Sequence, residues 1–285
     1  MNETPSDQPT TSRHEPVFNA PGVVMALIGA LVAVHVVMEW VTETDPLWLY
    51  ALAFIPARYG ALAAELPGGA WAAWVTPVSH MFLHGGWLHL AMNGAWLLAF
   101  GAIVARRMSA VRFLAFFVVG GLAGAAFFQA VNWGELKPVV GASGAVSALM
   151  GAVFRFLMNA RAMRSVGRLG ATANIPRMSL LTALTNRNVL IAIGLWVGLN
   201  ALFATDVGQM IAEGEIAWEA HLGGFIAGFL LLGLFDEVPM AQPVSRAAST
   251  EPRIWGVDDD RVEGQDADVG SSADAYPDRR GTRLH

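Results

Sequence analysis

The chain of 285 residues contains no cysteine, which excludes disulfides, thiol catalysis and cysteine metal ligation. Lysine is nearly absent, with Lys137 alone among 18 basic residues, a bias in keeping with a GC-rich bacterial genome. Charge of either sign is scarce: 14% of residues are charged, against about 25% in a soluble domain. The net charge of −5 arises largely in loops and tails. There is no basic patch with interleaved aromatics and no phosphate-cradling glycine loop, so nucleic acid is excluded as a partner.

What fills the chain instead is apolar: 54% of residues are hydrophobic, concentrated in runs rather than spread evenly. That is the pattern of a polytopic membrane protein. Six spans are predicted, at about 19–41, 82–104, 111–131, 143–159, 188–205 and 217–235. The loop at about 42–80 is rich in tryptophan and alanine and is interrupted by Pro46, Pro56, Pro67 and Pro77. Its apolar character suits the membrane interface. The fourth span is short, at about the 17-residue lower limit for a crossing, so its start at Ser143 is expected to be recessed.

Arginine and lysine orient the bundle. Arg106, Arg107 and Arg112 fall in the second loop, and Arg161, Arg164, Arg168, Arg177 and Arg187 in the fourth. The first loop holds only Arg58, the third only Lys137 and the fifth none. The second and fourth loops and both termini are therefore expected in the cytoplasm of a bacterial inner membrane, with Ser143 toward the outer face. Residues 1–17 are polar and lack the basic start and short apolar core of a signal peptide. They read as a disordered arm, 18–236 as the membrane domain, and 237–285, with "DDDRVEGQDAD", as a disordered acidic tail.

Polar groups inside spans are costly and need a reason. In "VVGASGAVSALMGA" Ser143 lies between Gly141 and Gly144 at the mouth of the fourth span. Two readings stand: a packing or helix-capping serine, or a nucleophile. His89 and Asn93 in "HGGWLHLAMNGAWLL" are four apart and share a helical face. They serve equally as interhelical hydrogen-bonding groups or as donors to a developing oxyanion. His221 in "WEAHLGGFIAGFLLLG" is followed at +3 and +7 by Gly224 and Gly228, a stripe that lets another backbone come close. Ser143, Ser147 and Gly151 make a matching small stripe. Pressing the two together would bring His221 to Ser143, and a neutral imidazole is the usual activator of a serine. Ser143 opening a helix also puts first-turn N–H groups and the dipole's positive end beside an incoming anion. Gly141 lets the preceding backbone approach a carbonyl carbon. His80 and His84 are four apart, but no cysteine is available and no carboxylate shares their face, which argues against zinc. They are assigned to hydrogen bonds between the first loop and the bundle; His35 stands isolated, without a role.

These segments resemble the rhomboid family of intramembrane serine proteases, over about 75–235. "HGGWLHLAMN", "GASG" and "AHLGGFIAG", in that order on the second, fourth and sixth spans, carry the resemblance. It implies an all-α, six-transmembrane-helix bundle and a Ser–His dyad without an aspartate. Ser143 would be the nucleophile, His221 the general base and then acid, and His89 with Asn93 the oxyanion donors beside the Ser143 N–H. His84 would support the site, and Gly224 and Gly228 would be the close-packing glycines. Two positions depart from the family. Val75 and Thr76 fall where many members carry a Trp-Arg pair, and Ser147 stands where an aromatic often stacks on the catalytic histidine.

The expected function is serine endopeptidase action on transmembrane segments of other membrane proteins, within the lipid bilayer, with no cofactor and no metal. Two rival classes are a catalytically inert rhomboid-like protein that binds and sorts membrane proteins, and a transporter. Inert relatives usually lack the serine or the histidine, and both are present here. No internal repeat of the transporter kind is found. The sequence carries no signature of an oligomeric state.

Overall fold

A computed structural model describes residues 20–158, 175–205 and 216–240. The arm at 1–17 and nearly all of the tail at 237–285 lie outside the described residues. Among the described residues the chain is helical with no strand, only two isolated bridge pairs, Phe54 with Val139 and Arg177 with Met240. The long helices are α1 (Gly22–Thr44), α4 (Trp87–Ala105), α5 (Ala110–Val131) and α9 (Trp218–Phe235), each long and apolar enough to cross a membrane. Between them lie α2 (Leu47–Leu52), α3 (Gly69–Ser79), α6 (Ser143–Leu157), α7 (Leu180–Thr185) and α8 (Arg187–Phe203). The apolar helices α6 and α8 are shorter, at 15 and 17 residues. Four helices of spanning length are thus established where the sequence predicts six spans.

The core is built on α6, whose residues are buried almost throughout, with α9 and α5 against it. Small residues make this possible. A methyl added at Gly224 would lie 2.7 Å from the Gly144 carbonyl carbon, and one at Gly228 2.5 Å from Ala148 Cα. A methyl at Gly124 on α5 would meet the Ala220 carbonyl oxygen at 2.7 Å. In lipid, where no hydrophobic force pulls helices together, close backbone approach and van der Waals contact do that work. The register differs by one residue from the sequence expectation. Gly144, Ala148 and Gly151 press on α9, not Ser143 and Ser147, because the smallest side chains win the seam. Ser143 is thereby left at its edge, half-buried.

The first loop is folded, not merely interfacial. Arg58 is fully buried and donates to the carbonyls of Tyr50 at 2.9 Å and Pro67 at 2.8 Å, closing the loop on itself. Pro77 within α3 cannot supply a donor to the Ala73 carbonyl; the Tyr59 hydroxyl donates to it instead, at 3.0 Å. Phe54 and Val139 exchange backbone hydrogen bonds of 3.0 and 2.8 Å, and Ala57 N–H donates to Glu135 O at 2.9 Å. The loop therefore braces the chain that leads to Ser143. Trp48, Trp71 and Trp74 remain exposed along it, as aromatic side chains do at a membrane interface.

At the other end of α6, Arg107 and Asp236 form a fully buried ion pair of 2.8 Å, which Arg177 joins at 3.4 Å. Arg155 donates to the carbonyls of Phe229 at 3.1 Å and Met178 at 2.8 Å, fastening α6 to α9 and to the start of the α7 region. The arginines counted for orientation thus include two that hold helix ends together.

Replacing Gly228 by valine should destabilise the fold by about 3 kcal/mol, the upper range for overpacking. Gly198→Ala on α8, where added bulk meets nothing within 4 Å, should be neutral or slightly stabilising. Unfolding midpoints of both variants in mild detergent check the contrast; equal midpoints would refute the seam's role.

Candidate active site

Ser143 is the first residue of α6 and does not cap it. Ala142 holds the cap position and no side chain bonds to the free N–H groups there. The contrast with Ser179, whose Oγ accepts from Thr182 N–H at 3.1 Å, and Asn186, which caps α8, is plain. Among the described residues Ser143 Oγ has no hydrogen-bond partner, so the capping reading does not apply. The first-turn N–H groups of α6 stay available to an anion.

The approach to Ser143 is shaped by Gly141, whose φ of +118° suits glycine. Its N–H donates to the His80 carbonyl at 2.8 Å. A methyl there would strike His89 Cε1 and Nε2 at 2.8 Å and lie 3.8 Å from Asn93 Nδ2. The imidazole and the amide from α4 thus lie against the backbone two residues before Ser143. Gly85 N–H points at His89 Nδ1 from 3.5 Å, which leaves the ring proton on Nε2, the nitrogen nearest Gly141. Asn93 is buried and spends one amide hydrogen on the His89 carbonyl at 3.0 Å, with the second free.

His221 stands one residue after Ala220, whose carbonyl touches Gly124 and Gly144. Its Nδ1 pairs with Asn200 Oδ1 at 3.0 Å. Asn200 is buried on α8 and donates its Nδ2 to the Trp196 carbonyl at 2.9 Å, so its oxygen is the end that faces His221. An oxygen can only accept, so His221 Nδ1 carries the proton and Nε2 keeps a lone pair. Below this pair Trp196 stacks on Phe225 at 4.2 Å, setting the spacing of α8 and α9. Asn200 supplies the orientation that Ser147, in place of an aromatic, leaves open. Asn200 is not among the residues the sequence singles out, although an amide in "LWVGLNALF" carries the same signal as Asn93.

The other histidines correct two expectations. His84 is buried, and among the described residues its ring makes no hydrogen bond to the first loop, so it does not tie that loop to the bundle. Its ring meets the His89 ring edge-on, centroids 5.2 Å apart. His35 is not isolated: it is buried against Trp87 at 4.7 Å and lies 6.3 Å from His84. His80 does brace the loop, through Thr76 O on its own segment at 2.8 Å and through its carbonyl to Gly141. No three His, Asp or Glu side chains are grouped for a metal among the described residues.

A family model, the rhomboid domain, matches residues 68–236. The chain belongs to the rhomboid family. It is 29% identical over 154 residues to RHOMBOID-like protein 5 of Arabidopsis thaliana, covering 54% of this chain and 41% of the relative. To RHOMBOID-like protein 9, chloroplastic, of the same plant, it is 36% identical over 99 residues, or 34% of this chain and 21% of the relative. The matches span about two fifths and one fifth of those relatives' lengths.

Burial pushes His80, in the turn before α4, down from its ordinary 6.5 to about 4, with the bond to Thr76 opposing. Between those values the unfolded chain binds the extra proton, so this contribution is complete above about pH 6.5 and is lost as pH falls toward 4. In His80→Asn, whose amide N–H can also donate to Thr76 O, the decline in unfolding midpoint over that window should be shallower than in the unmodified rhomboid. Parallel curves would show that His80 titration does not matter.

Proposed function

We propose that this rhomboid is an intramembrane serine endopeptidase cleaving transmembrane segments of other membrane proteins. The observation that carries the reading is the His221–Asn200 hydrogen bond. It leaves a basic nitrogen on α9, where α9 meets the end of α6 that begins with an uncommitted serine. In the proposed reaction Ser143 Oγ attacks the scissile carbonyl carbon and its proton passes to His221 Nε2. The oxyanion is received by His89 Nε2–H, an Asn93 amide hydrogen and the Ser143 N–H. His221 then protonates the leaving amine, and a water deprotonated by the same nitrogen hydrolyses the acyl-enzyme.

In this reading α6 and α8 join the four long helices as a six-helix membrane domain at about 18–236. A helix of 15 residues is about 22 Å long at 1.5 Å per residue, against an apolar core of about 30 Å. Ser143 then lies below the membrane surface, with both termini cytoplasmic in a bacterial inner membrane. His84, His89 and Asn93 suit a wet cavity there. A helical peptide bond is sterically protected, so segments weakened by glycine or proline should be preferred substrates.

A fluorophosphonate probe should label the unmodified protein, and neither Ser143→Ala nor His221→Ala. Asn200→Leu, which frees the imidazole to turn, should lower cleavage of a model transmembrane substrate about 10²-fold, the scale of a general base. Asn93→Ala should cost about 10²–10³-fold, as for one oxyanion donor. A folded protein that takes no label and cleaves nothing would overturn the protease, and capture of uncleaved membrane proteins would then favour the sorting reading.

A further inference from the structure

A general base must hold its place, and His221 stands where a helix holds least well. It is the fourth residue of α9, which begins at Trp218. The N–H groups of a first helical turn have no partner within the helix, and helix ends are the first parts to fray. The starts of α7 and α8 are secured by side-chain caps, from Ser179 and Asn186. For α9, Ala217 holds the cap position and no side chain among the described residues bonds there. The Asn200 bond turns the ring of His221, but it does not fix the backbone that carries the ring.

One side chain in that turn reaches out of the helix to a fixed point. Glu219 is 4% exposed, and its Oε1 accepts from Asn132 Nδ2 at 3.3 Å. Asn132 follows the last residue of α5. Its backbone N–H and its other amide hydrogen both go to the Phe128 carbonyl, at 2.9 and 3.0 Å. Its own carbonyl accepts from Glu135 N–H at 3.1 Å, and Glu135 is braced in turn by Ala57 of the first loop. Both amide hydrogens of Asn132 are thereby spent, and α5 holds its side chain ready for Glu219. Glu219 and His221 are two apart and so lie on different sides of α9. One clamps the turn to α5 while the other meets Asn200 on α8.

Packing alone does not account for a glutamate here. Burying a carboxylate is costly unless it is hydrogen-bonded, and Glu219 Oε2 has no partner among the described residues. Leucine would fill the place without that cost. What glutamate supplies is an acceptor that reaches Asn132. We infer that Glu219 is a positioning residue for His221: through Asn132 it pins the uncapped first turn of α9 to the end of α5. The glycine seam sets how close α9 comes to α6; this bond keeps its first turn wound. The role rests on the reading of His221 as the base, whereas the tether itself does not.

The test uses full-length protein in detergent, with Glu219→Leu, Glu219→Gln, Asn132→Leu and the double leucine variant. Glutamine keeps an oxygen for Asn132; leucine only fills the space. On a transmembrane model substrate, each single leucine variant should lower kcat about tenfold with little change in KM, within the range that a misplacement of about 1 Å produces. Glu219→Gln should keep most of the activity. The double variant should be no slower than the slower single one, because both changes break the same bond. With 15N-labelled histidine rings, the His221 signals should move or broaden in the leucine variants while those of His80 stay. Full kcat in folded Glu219→Leu, or an equal loss in Glu219→Gln, would overturn the inference, as would losses that multiply in the double variant. If Glu219→Leu does not fold, Asn132→Leu against Glu219→Gln carries the same comparison. If the unmodified protein neither takes the fluorophosphonate nor cleaves, the protease reading fails alone, and the His221 signals still decide the tether.

Discussion

The backbone of α9 lies directly on the backbone of α6, and the rest of the described structure is arranged around that contact. Gly224 against Gly144 and Gly228 against Ala148 bring the two helices closer than even a methyl at either glycine would permit. Gly124 brings α5 onto the same place. Ser143 projects from the edge of the seam, and His221 rises from the turn of α9 that touches Gly144. Arg155 reaches across the far end to the carbonyls of α9. A helix pair in lipid gains little from hiding apolar surface, so separation of the axes is set by side-chain size at the seam. The distance between the two halves of the candidate site is therefore a property of glycines, not of the serine or the histidine.

The first loop solves a different problem. An irregular backbone is tolerated near a membrane only where its N–H and C=O groups are satisfied. Here it satisfies itself through Arg58 and Tyr59, and satisfies the third loop through the Phe54–Val139 pairing and Ala57. The consequence reaches Gly141, which is held by the His80 carbonyl at a positive φ. The absence of a Cβ there is what permits His89 and Asn93 to approach. A loop that looks peripheral thus sets the shape of the backbone beside the candidate site.

Polar side chains in this chain are few, and most are used in pairs whose members lie on different helices. Asn200 on α8 holds His221 on α9, Asn132 just after α5 donates to Glu219 on α9 at 3.3 Å, and Arg107 before α5 holds Asp236 after α9. Each pair removes a desolvation cost that neither partner could avoid alone. The pairs also fix the rotation of helices whose apolar faces would otherwise slide. His35 on α1 and His84 before α4 are among the exceptions, buried against each other edge-on.

The sequence by itself determined the helical elements and marked the residues of the candidate site. Apolar runs marked the helices to within a few residues, because hydrophobic length is a local property. Glycine spacing on α9 foretold a close partner, and Ser143, His221, His89 and Asn93 were legible as polar groups at odds with their surroundings. Tertiary structure decided which face of α6 meets α9, and shifted the seam by one residue to Gly144 and Ala148. It also decided that Ser143 leaves its helix uncapped, that Asn200 turns His221, and that His35 lies with His84. Each of these depends on residues far apart in the chain meeting in space. Neither periodicity nor composition encodes such a meeting, because the rotation of one helix about its axis is set only by what it packs against.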